Sequence, residues 1–287
     1  MEEYTRFTGP DGASTDLDRS SIVILPVPYD RTSTWIKGAD KGPFALLEAS
    51  PELELYDIET DHEVYTRGIY TSAPLEVGQM EPERMCRVVE NEVSSLLDGG
   101  KFVVTLGGEH SVSIGAVRAH ASKEEPLSVL SLDAHADLRD EYHSSRFNHA
   151  CVGARIKELA HLVEVGVRSM SREEKGVLPE GDIFFARDIA SSGTWIDEVL
   201  SRLSDKVYVT IDLDVFDPAL MPSTGTPQPG GLDWYQVTAL LAAVSAQKSV
   251  TGFDIVELCP SGNNRAPDFL AAKLVYKFLS YVYKRKR

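Results

Sequence analysis

The stretch Leu127-Ser128-Val129-Leu130-Ser131-Leu132-Asp133-Ala134-His135-Ala136-Asp137 decides the fold of this chain. Its first half is a mostly apolar run of strand length. Such runs belong to strands buried on both faces of a parallel sheet. Its second half sets two carboxylates and an imidazole at alternate positions, and strand side chains repeat their direction every two residues. Two other stretches are built alike. Residues 102–106 run apolar into Gly107-Gly108-Glu109-His110, and residues 207–211 close on Asp212-Leu213-Asp214. Three buried strands therefore end in ligand-type residues. In parallel sheets, ligands bind beyond the carboxyl ends of the strands.

Outward from these stretches, strand-like runs at 21–27, 162–167, 183–186 and 250–258 alternate with helical patterns. The helices fall at 42–49, 82–97, 111–121, 149–159, 195–203, 233–246 and 267–284. Pro43 suits a first helical turn and Asp233 an N-cap. Residues 50–78 are less regular, 138–146 form a polar loop, and 216–231 form a long loop rich in proline and glycine. The alternation predicts an α/β fold of three layers, α/β/α, with a mainly parallel central sheet. No linker, repeat or shift of composition divides the chain. It reads as one domain over 1–287, with 1–20 as a polar N-terminal extension.

Composition narrows the function. Against 29 Lys and Arg stand 44 Asp and Glu, a formal charge of −15. Such a surface argues against nucleic acid and anionic membranes as partners, and it concentrates small cations. No apolar run reaches transmembrane length, and residues 1–21 lack the apolar core of a signal peptide. Cys86, Cys151 and Cys259 are too few and too scattered for a disulfide framework or a zinc knuckle. A reducing, cytoplasmic setting fits them. The tail Lys284-Arg285-Lys286-Arg287 reads as a solvated helix end, where cations suit the helix dipole.

His110, Asp133, His135, Asp137, Asp212 and Asp214 are the candidate ligands. Taken alone, Asp-x-His-x-Asp could cap a helix. Three clusters at three strand ends point instead to one shared site. Four carboxylates and two imidazoles converging would repel unless cations sat among them. Without a thiolate the set suits hard or borderline ions, Mn²⁺ first, then Mg²⁺, Co²⁺, Fe²⁺ or Zn²⁺. Two such ions about 3.5–4 Å apart share a bridging hydroxide, a nucleophile at neutral pH.

These residues resemble the ureohydrolases, the family of arginase and agmatinase. Gly107-Gly108-Glu109-His110-Ser111, Asp133-Ala134-His135-Ala136-Asp137-Leu138 and Asp212-Leu213-Asp214-Val215-Phe216-Asp217-Pro218 are similar to its three signature blocks. Pro28-Tyr29-Asp30, Gly38-Ala39-Asp40-Lys41-Gly42-Pro43, Thr224-Gly225-Thr226-Pro227, Gly230-Gly231-Leu232 and Phe253-Asp254-Ile255-Val256-Glu257 extend the likeness from about residue 20 almost to the C-terminus. The resemblance implies an arginase/deacetylase-like fold and two Mn²⁺ per subunit. His110, Asp133, Asp137 and Asp212 would hold one ion, and His135, Asp133, Asp212 and Asp214 the other. Glu257 would bind a substrate guanidinium. Thr226 would either hydrogen-bond the same group or fix the Gly-Pro turn. His149 would carry protons, with His143 as a rival, and Asp137 would relay one to the leaving nitrogen. His62, His120 and His161 read as surface or helix-packing residues.

Arginases carry Asn just after the Asp-x-His-x-Asp block, where this chain has Arg139. The loop resembles the agmatinase branch, which implies cleavage of agmatine to putrescine and urea. Aminopropylagmatine, guanidinobutyrate or arginine are the alternatives. Asp140, Glu141, Asp30 or a neighbouring subunit's carboxylate would meet a tail ammonium, and Trp35 would either border the entrance or pack. Relatives of this kind form homo-oligomers, trimers or hexamers.

Overall fold

The computed structural model describes residues 5–178 and 181–284. The described residues form nine strands: β1 Ala13–Ser14, β2 Ile22–Val27, β3 Ile69–Thr71, β4 Phe102–Gly107, β5 Leu127–Leu132, β6 His161–Val167, β7 Ile183–Phe185, β8 Lys206–Asp212 and β9 Ser249–Val256. They form one sheet in the order β1-β3-β2-β4-β9-β8-β5-β6-β7. Every pairing is parallel. The late strands β8 and β9 insert between β4 and β5. All three ligand-bearing strands and the strand leading to Glu257 are therefore neighbours, with their carboxyl ends on one edge of the sheet.

Alternation along each strand feeds two cores. Ile22, Ile24, Val104, Leu106, Val209, Ile211, Phe253 and Ile255 face one layer of helices, Gly42–Ala49, Trp195–Arg202, Trp234–Gln247 and Ala266–Val282. Val23, Leu25, Val27, Val103, Val129 and Tyr208 face the other, Pro82–Asp98, Val112–Ala121 and Val152–Lys157. A fully buried side chain of this kind contributes about 1.5–3 kcal/mol. Local signals agree with the larger pattern. Asp233 and Gln236 form a capping box at the start of Trp234–Gln247, each side chain accepting the other residue's amide. Pro43 and Pro82 stand in first turns.

The structure departs from the sequence reading in two places. The helix expected over 149–159 is a 3₁₀ turn, His149–Cys151, followed by a short helix, Val152–Lys157. The Asn148 side chain accepts the Ala150 amide and so sets that turn. The N-terminal segment also does more than extend from the domain. Phe7 is fully buried, its amide donates to Thr71 Oγ1 at 2.9 Å, and β1 adds an edge strand beside β3. Of the basic tail, Arg285 to Arg287 lie outside the described residues. No described helix is long and apolar enough to cross a membrane.

Candidate metal centre and its cavity

Sheet register assembles the site. Leu132 pairs with Ile211, which sets Asp133 beside Asp212 where β5 and β8 end. Leu106 pairs with Ile255, which brings the Gly107–His110 turn against Glu257. Gly108 is needed there because a Cβ would sit 2.0 Å from the Tyr29 carbonyl oxygen. Its own carbonyl accepts the Glu257 amide at 2.7 Å.

The two-residue strand repeat is not what aligns the ligands. β5 stops at Leu132, and Asp137 takes a left-handed backbone, φ 49°. β8 stops at Asp212, and Leu213–Val215 is a 3₁₀ turn whose Asp214 amide donates to Asp212 Oδ1 at 2.8 Å. Glu257 is left-handed as well, φ 65°. Such backbones cost roughly 1–3 kcal/mol each in non-glycine residues and gather at functional sites.

The side chains form two groups that share Asp133: His110 with Asp133 and Asp212, and His135 with Asp133 and Asp214. Around His110 Nδ1 lie Asp133 Oδ2 at 3.0 Å, Asp137 Oδ2 at 3.3 Å and Asp212 Oδ2 at 3.4 Å. His135 Nδ1 lies 2.9 Å from Asp214 Oδ2 and 3.6 Å from Asp133 Oδ1. Asp133 thus turns one oxygen to each imidazole. Asp212 turns Oδ2 to the His110 group, and its Oδ1 accepts the Asp214 amide.

The donor set fits divalent cations. His110 Nε2 faces Thr210 Oγ1 at 3.0 Å, and Thr210 donates to Asp254 Oδ1 at 2.6 Å. Thr210 has one proton, so it accepts from Nε2–H, and Nδ1 is left with a lone pair. That nitrogen is buried and makes no hydrogen bond of acceptable angle, although three carboxylate oxygens surround it. A lone pair among carboxylates is a cation ligand set. Tyr208 completes the support by donating to Asp254 Oδ2 at 2.7 Å. The sequence reading missed Thr210 and Asp254. The available signal was a charged residue in the middle of an apolar strand, costly unless partnered.

The electrostatics of the cluster demand positive charge. Burial, then the Asp214 and Asp133 charges, push Asp212 well above the usual carboxylate range. Burial and Asp133 push Asp137 up to about 7. Burial opposes the charged form of His135, but Asp214 and Asp133 outweigh it and push that imidazole up to about 12. Burial likewise opposes ionisation of Asp133, and His110 and His135 hold it below its ordinary value.

Above this floor opens a cavity of about 250 Å³, lined by His110, His135, Asp137, Asp212 and Asp214 below and by Glu257, Thr226 and His149 on its walls. Asp133 is buried behind the floor. Glu257 Oε1 accepts the His110 amide at 2.7 Å, and burial, then the Glu109 charge, raise its carboxyl pKa well above the ordinary value. Burial, then the charges of His135 and His110, lower His149 to about 4, so it is neutral near pH 7. The Thr226 hydroxyl has no partner among the described residues.

Other candidates fall elsewhere. His143 lines an outer groove, with its ring 4.2 Å from Tyr142. His161 is a surface residue facing Asp182, and His120 is buried against Tyr208. Asp140 is held by Arg155 and Arg146, and the buried Asp30 side chain accepts the Gly38 and Ala39 amides and the Ser33 hydroxyl. Neither lines the cavity. Glu141 lines the outer groove, and its carboxylate has no partner among the described residues. Trp35 is 83% exposed at the tip of the rim loop, residues 32–37, whose Thr34 lines the cavity, so it does not pack.

The sequence profile of the arginase family matches residues 20–280. An N(1)-aminopropylagmatine ureohydrolase from Synechocystis sp. is 39% identical over 279 residues, 94% of this chain and 91% of that protein. An agmatinase from Pyrococcus horikoshii is 36% identical over 268 residues, 92% of each. The solved agmatine ureohydrolase of Thermoplasma volcanium superposes with a TM-score of 0.87 at 32% identity, covering 95% of this chain and 93% of that one.

Proposed function

Because this chain belongs to the arginase family and is a ureohydrolase of that family, we propose that it is a dimanganese amidinohydrolase that cleaves agmatine to putrescine and urea. The observation that carries the proposal is Glu257. It is a buried carboxylate on a strained backbone, facing the same cavity as an acidic floor and in no ion pair with a Lys or Arg among the described residues. A guanidinium supplies the missing charge and matches a carboxylate's geometry.

His110, Asp133, Asp137 and Asp212 would hold one Mn²⁺, and His135, Asp133, Asp214 and Asp212 the other. When bound, the pair supplies Lewis acidity and acidifies water at neutral pH. The chain's own groups do the rest. Glu257 holds and orients the guanidinium, and Thr226 offers it a hydroxyl. Water oxygen adds to the guanidinium carbon, and the bond from that carbon to the alkyl nitrogen breaks. His149, neutral at rest, takes up a proton and returns it to the departing amine. Asp137, on the floor of the cavity, relays a proton toward the leaving nitrogen.

A second reading, aminopropylagmatine as substrate, is supported by the name of the Synechocystis relative. Both substrates end in a cationic tail, and unpaired Glu141 is the carboxylate free to meet it. The proposal includes a cytoplasmic homo-oligomer, trimer or hexamer, and the exposed Trp35, Ile58 and Tyr235 support association.

The test is urea and amine release by Mn²⁺-loaded protein from agmatine, aminopropylagmatine, guanidinobutyrate and arginine. Agmatine is expected to give the highest kcat/KM. A tenfold preference for aminopropylagmatine selects the second reading. Urea from arginine or guanidinobutyrate alone refutes both.

A further inference from the structure

A second buried carboxylate, Glu109, stands next to the His110 ligand and takes no part in the cluster of six. It is fully buried and accepts four hydrogen bonds. Ser111 Oγ and Thr32 Oγ1 donate to Oε1, each at 2.6 Å. The amides of Thr32 and Ser33 donate to Oε2 at 2.6 and 2.5 Å. Thr32 then reaches His149. Its Oγ1 accepts the His149 amide at 2.9 Å and lies 3.4 Å from His149 Nδ1.

Proton accounting gives this chain a direction. Burial raises the Glu109 pKa, but two amides and two hydroxyls aimed at it oppose that, and once ionised the carboxylate only accepts. The single Thr32 hydroxyl proton is therefore committed to Glu109, and Thr32 offers His149 only lone pairs. A bond between Thr32 Oγ1 and His149 Nδ1 requires the proton on Nδ1, which leaves Nε2 bare on a ring that lines the catalytic cavity. We propose that Glu109 and Thr32 are positioning residues that select the Nδ1-protonated tautomer of His149, so that Nε2 is the nitrogen that takes up and returns the proton. Three of these four bonds, the two from Thr32 and the one from Ser33, fasten the rim loop to the metal-ligand turn. The loop's other end is tied by Asp30 through Gly38 and Ala39, so the His149 anchor does not drift with the exposed Trp35 tip.

This inference rests on His149 acting in the guanidine hydrolysis proposed above. Its test therefore has one arm that needs no substrate. In protein carrying ¹⁵N-histidine and diamagnetic Zn²⁺, the His149 signal, assigned by its loss in His149→Gln, is expected to show a protonated Nδ1. Thr32→Val is expected to abolish that signature and Thr32→Ser to keep it. With Mn²⁺ and agmatine, Thr32→Val should lower kcat about tenfold, the worth of one hydrogen bond. KM should stay within about twofold, with the metal content unchanged. Thr32→Ser should recover most of the rate, and Glu109→Gln should fall in the same direction as Thr32→Val. An Nε2-protonated wild type, equal losses in the Val and Ser variants, or a loss that tracks metal content would each overturn the assignment. If wild-type protein releases urea from no guanidine while the tautomer behaves as stated, the functional reading fails and the positioning does not.

Discussion

Two regions of this molecule bury charge, and they do so in opposite ways. On the helix Ala266–Val282, Lys277 is 4% exposed and donates to Asp57, 2% exposed, at 2.9 and 3.1 Å, with Glu59 at 3.0 Å. Burial opposes ionisation of Asp57, but Lys277 and the Thr60 hydrogen bonds outweigh it and hold its pKa below the ordinary value. There the buried carboxylate is matched by a lysine of the same chain, and the second one, Glu59, is half exposed. At the strand ends, four carboxylates meet two imidazoles with no Lys or Arg among them. There burial and like charge push Asp212 and Asp137 the other way. A balanced cluster stabilises a fold, whereas an unbalanced one recruits what the chain does not carry.

Asp133→Ala should separate the two regions most sharply. Asp133 is the one side chain shared by both ligand groups. Its loss is expected to lower urea release by at least about 10³-fold, the scale of a lost transition-state charge contact. Metal content, read by elemental analysis, should fall below two ions per chain. Retention of both ions with normal turnover would remove the argument that the cluster is unbalanced by design. Glu257→Gln should cost about 10²–10³-fold in kcat/KM, the scale of truncating a buried charge partner. It should leave both metals in place, since Glu257 touches the site only through the His110 amide.

Next in size is the balanced region. Lys277→Met should cost about 3–5 kcal/mol by denaturant titration, because it strands Asp57 in the interior. The double variant with Asp57→Asn should recover much of that loss, and metal content should not change. In chelator-treated protein, Asp212→Asn should destabilise far less than Lys277→Met, since it relieves like charge instead of creating it. Equal costs would erase the contrast. The two regions should also answer differently to acid. Cation uptake needs ionised Asp137, whose carboxyl sits at about 7. Below that pH this group adds one more proton to be displaced, so affinity should fall more steeply below about pH 7 than above it, by up to about tenfold more per unit. Metal titrations from pH 5.5 to 8 would read the slope.

How much of this was legible beforehand follows from which physics a linear sequence carries. The apolar runs and the ligand residues at their ends are local. The floor of the site could therefore be named from the sequence, and the family resemblance added Glu257, Thr226 and His149, which line the same cavity. The stated reason for convergence was partly wrong, because left-handed Asp137 and the turn at Asp214, not strand alternation, aim the ligands. Insertion of β8 and β9 between β4 and β5 is a long-range choice that no local pattern contains. Support from Thr210 and Thr32 was hidden for the same reason. Each looks like an ordinary polar residue until its partner, 44 to 117 positions away, is known. The guesses for a tail carboxylate failed at Asp30 and Asp140 because a nearby amide or guanidinium already claims each one.

His120 gives the smallest expected effect and a third case, a buried titratable group with no counter-charge. Neither ring nitrogen has a hydrogen-bond partner among the described residues, and its ring packs 4.6 Å from Tyr208. Burial lowers its pKa from 6.5 to about 3. The fold therefore excludes a proton that the unfolded chain binds. Its contribution to stability is whole above about pH 6.5 and is lost as pH falls from there toward about 3, by up to about 1.4 kcal/mol per unit. His120→Leu removes the titrating group while keeping an apolar side chain against Tyr208. The variant should show a shallower fall in denaturant midpoint between pH 6.5 and 4.5 than the parent protein, with unchanged urea release at pH 8. An identical acid slope in both proteins would mean that the carboxylates alone set acid stability, and that a lone buried imidazole weighs nothing against them.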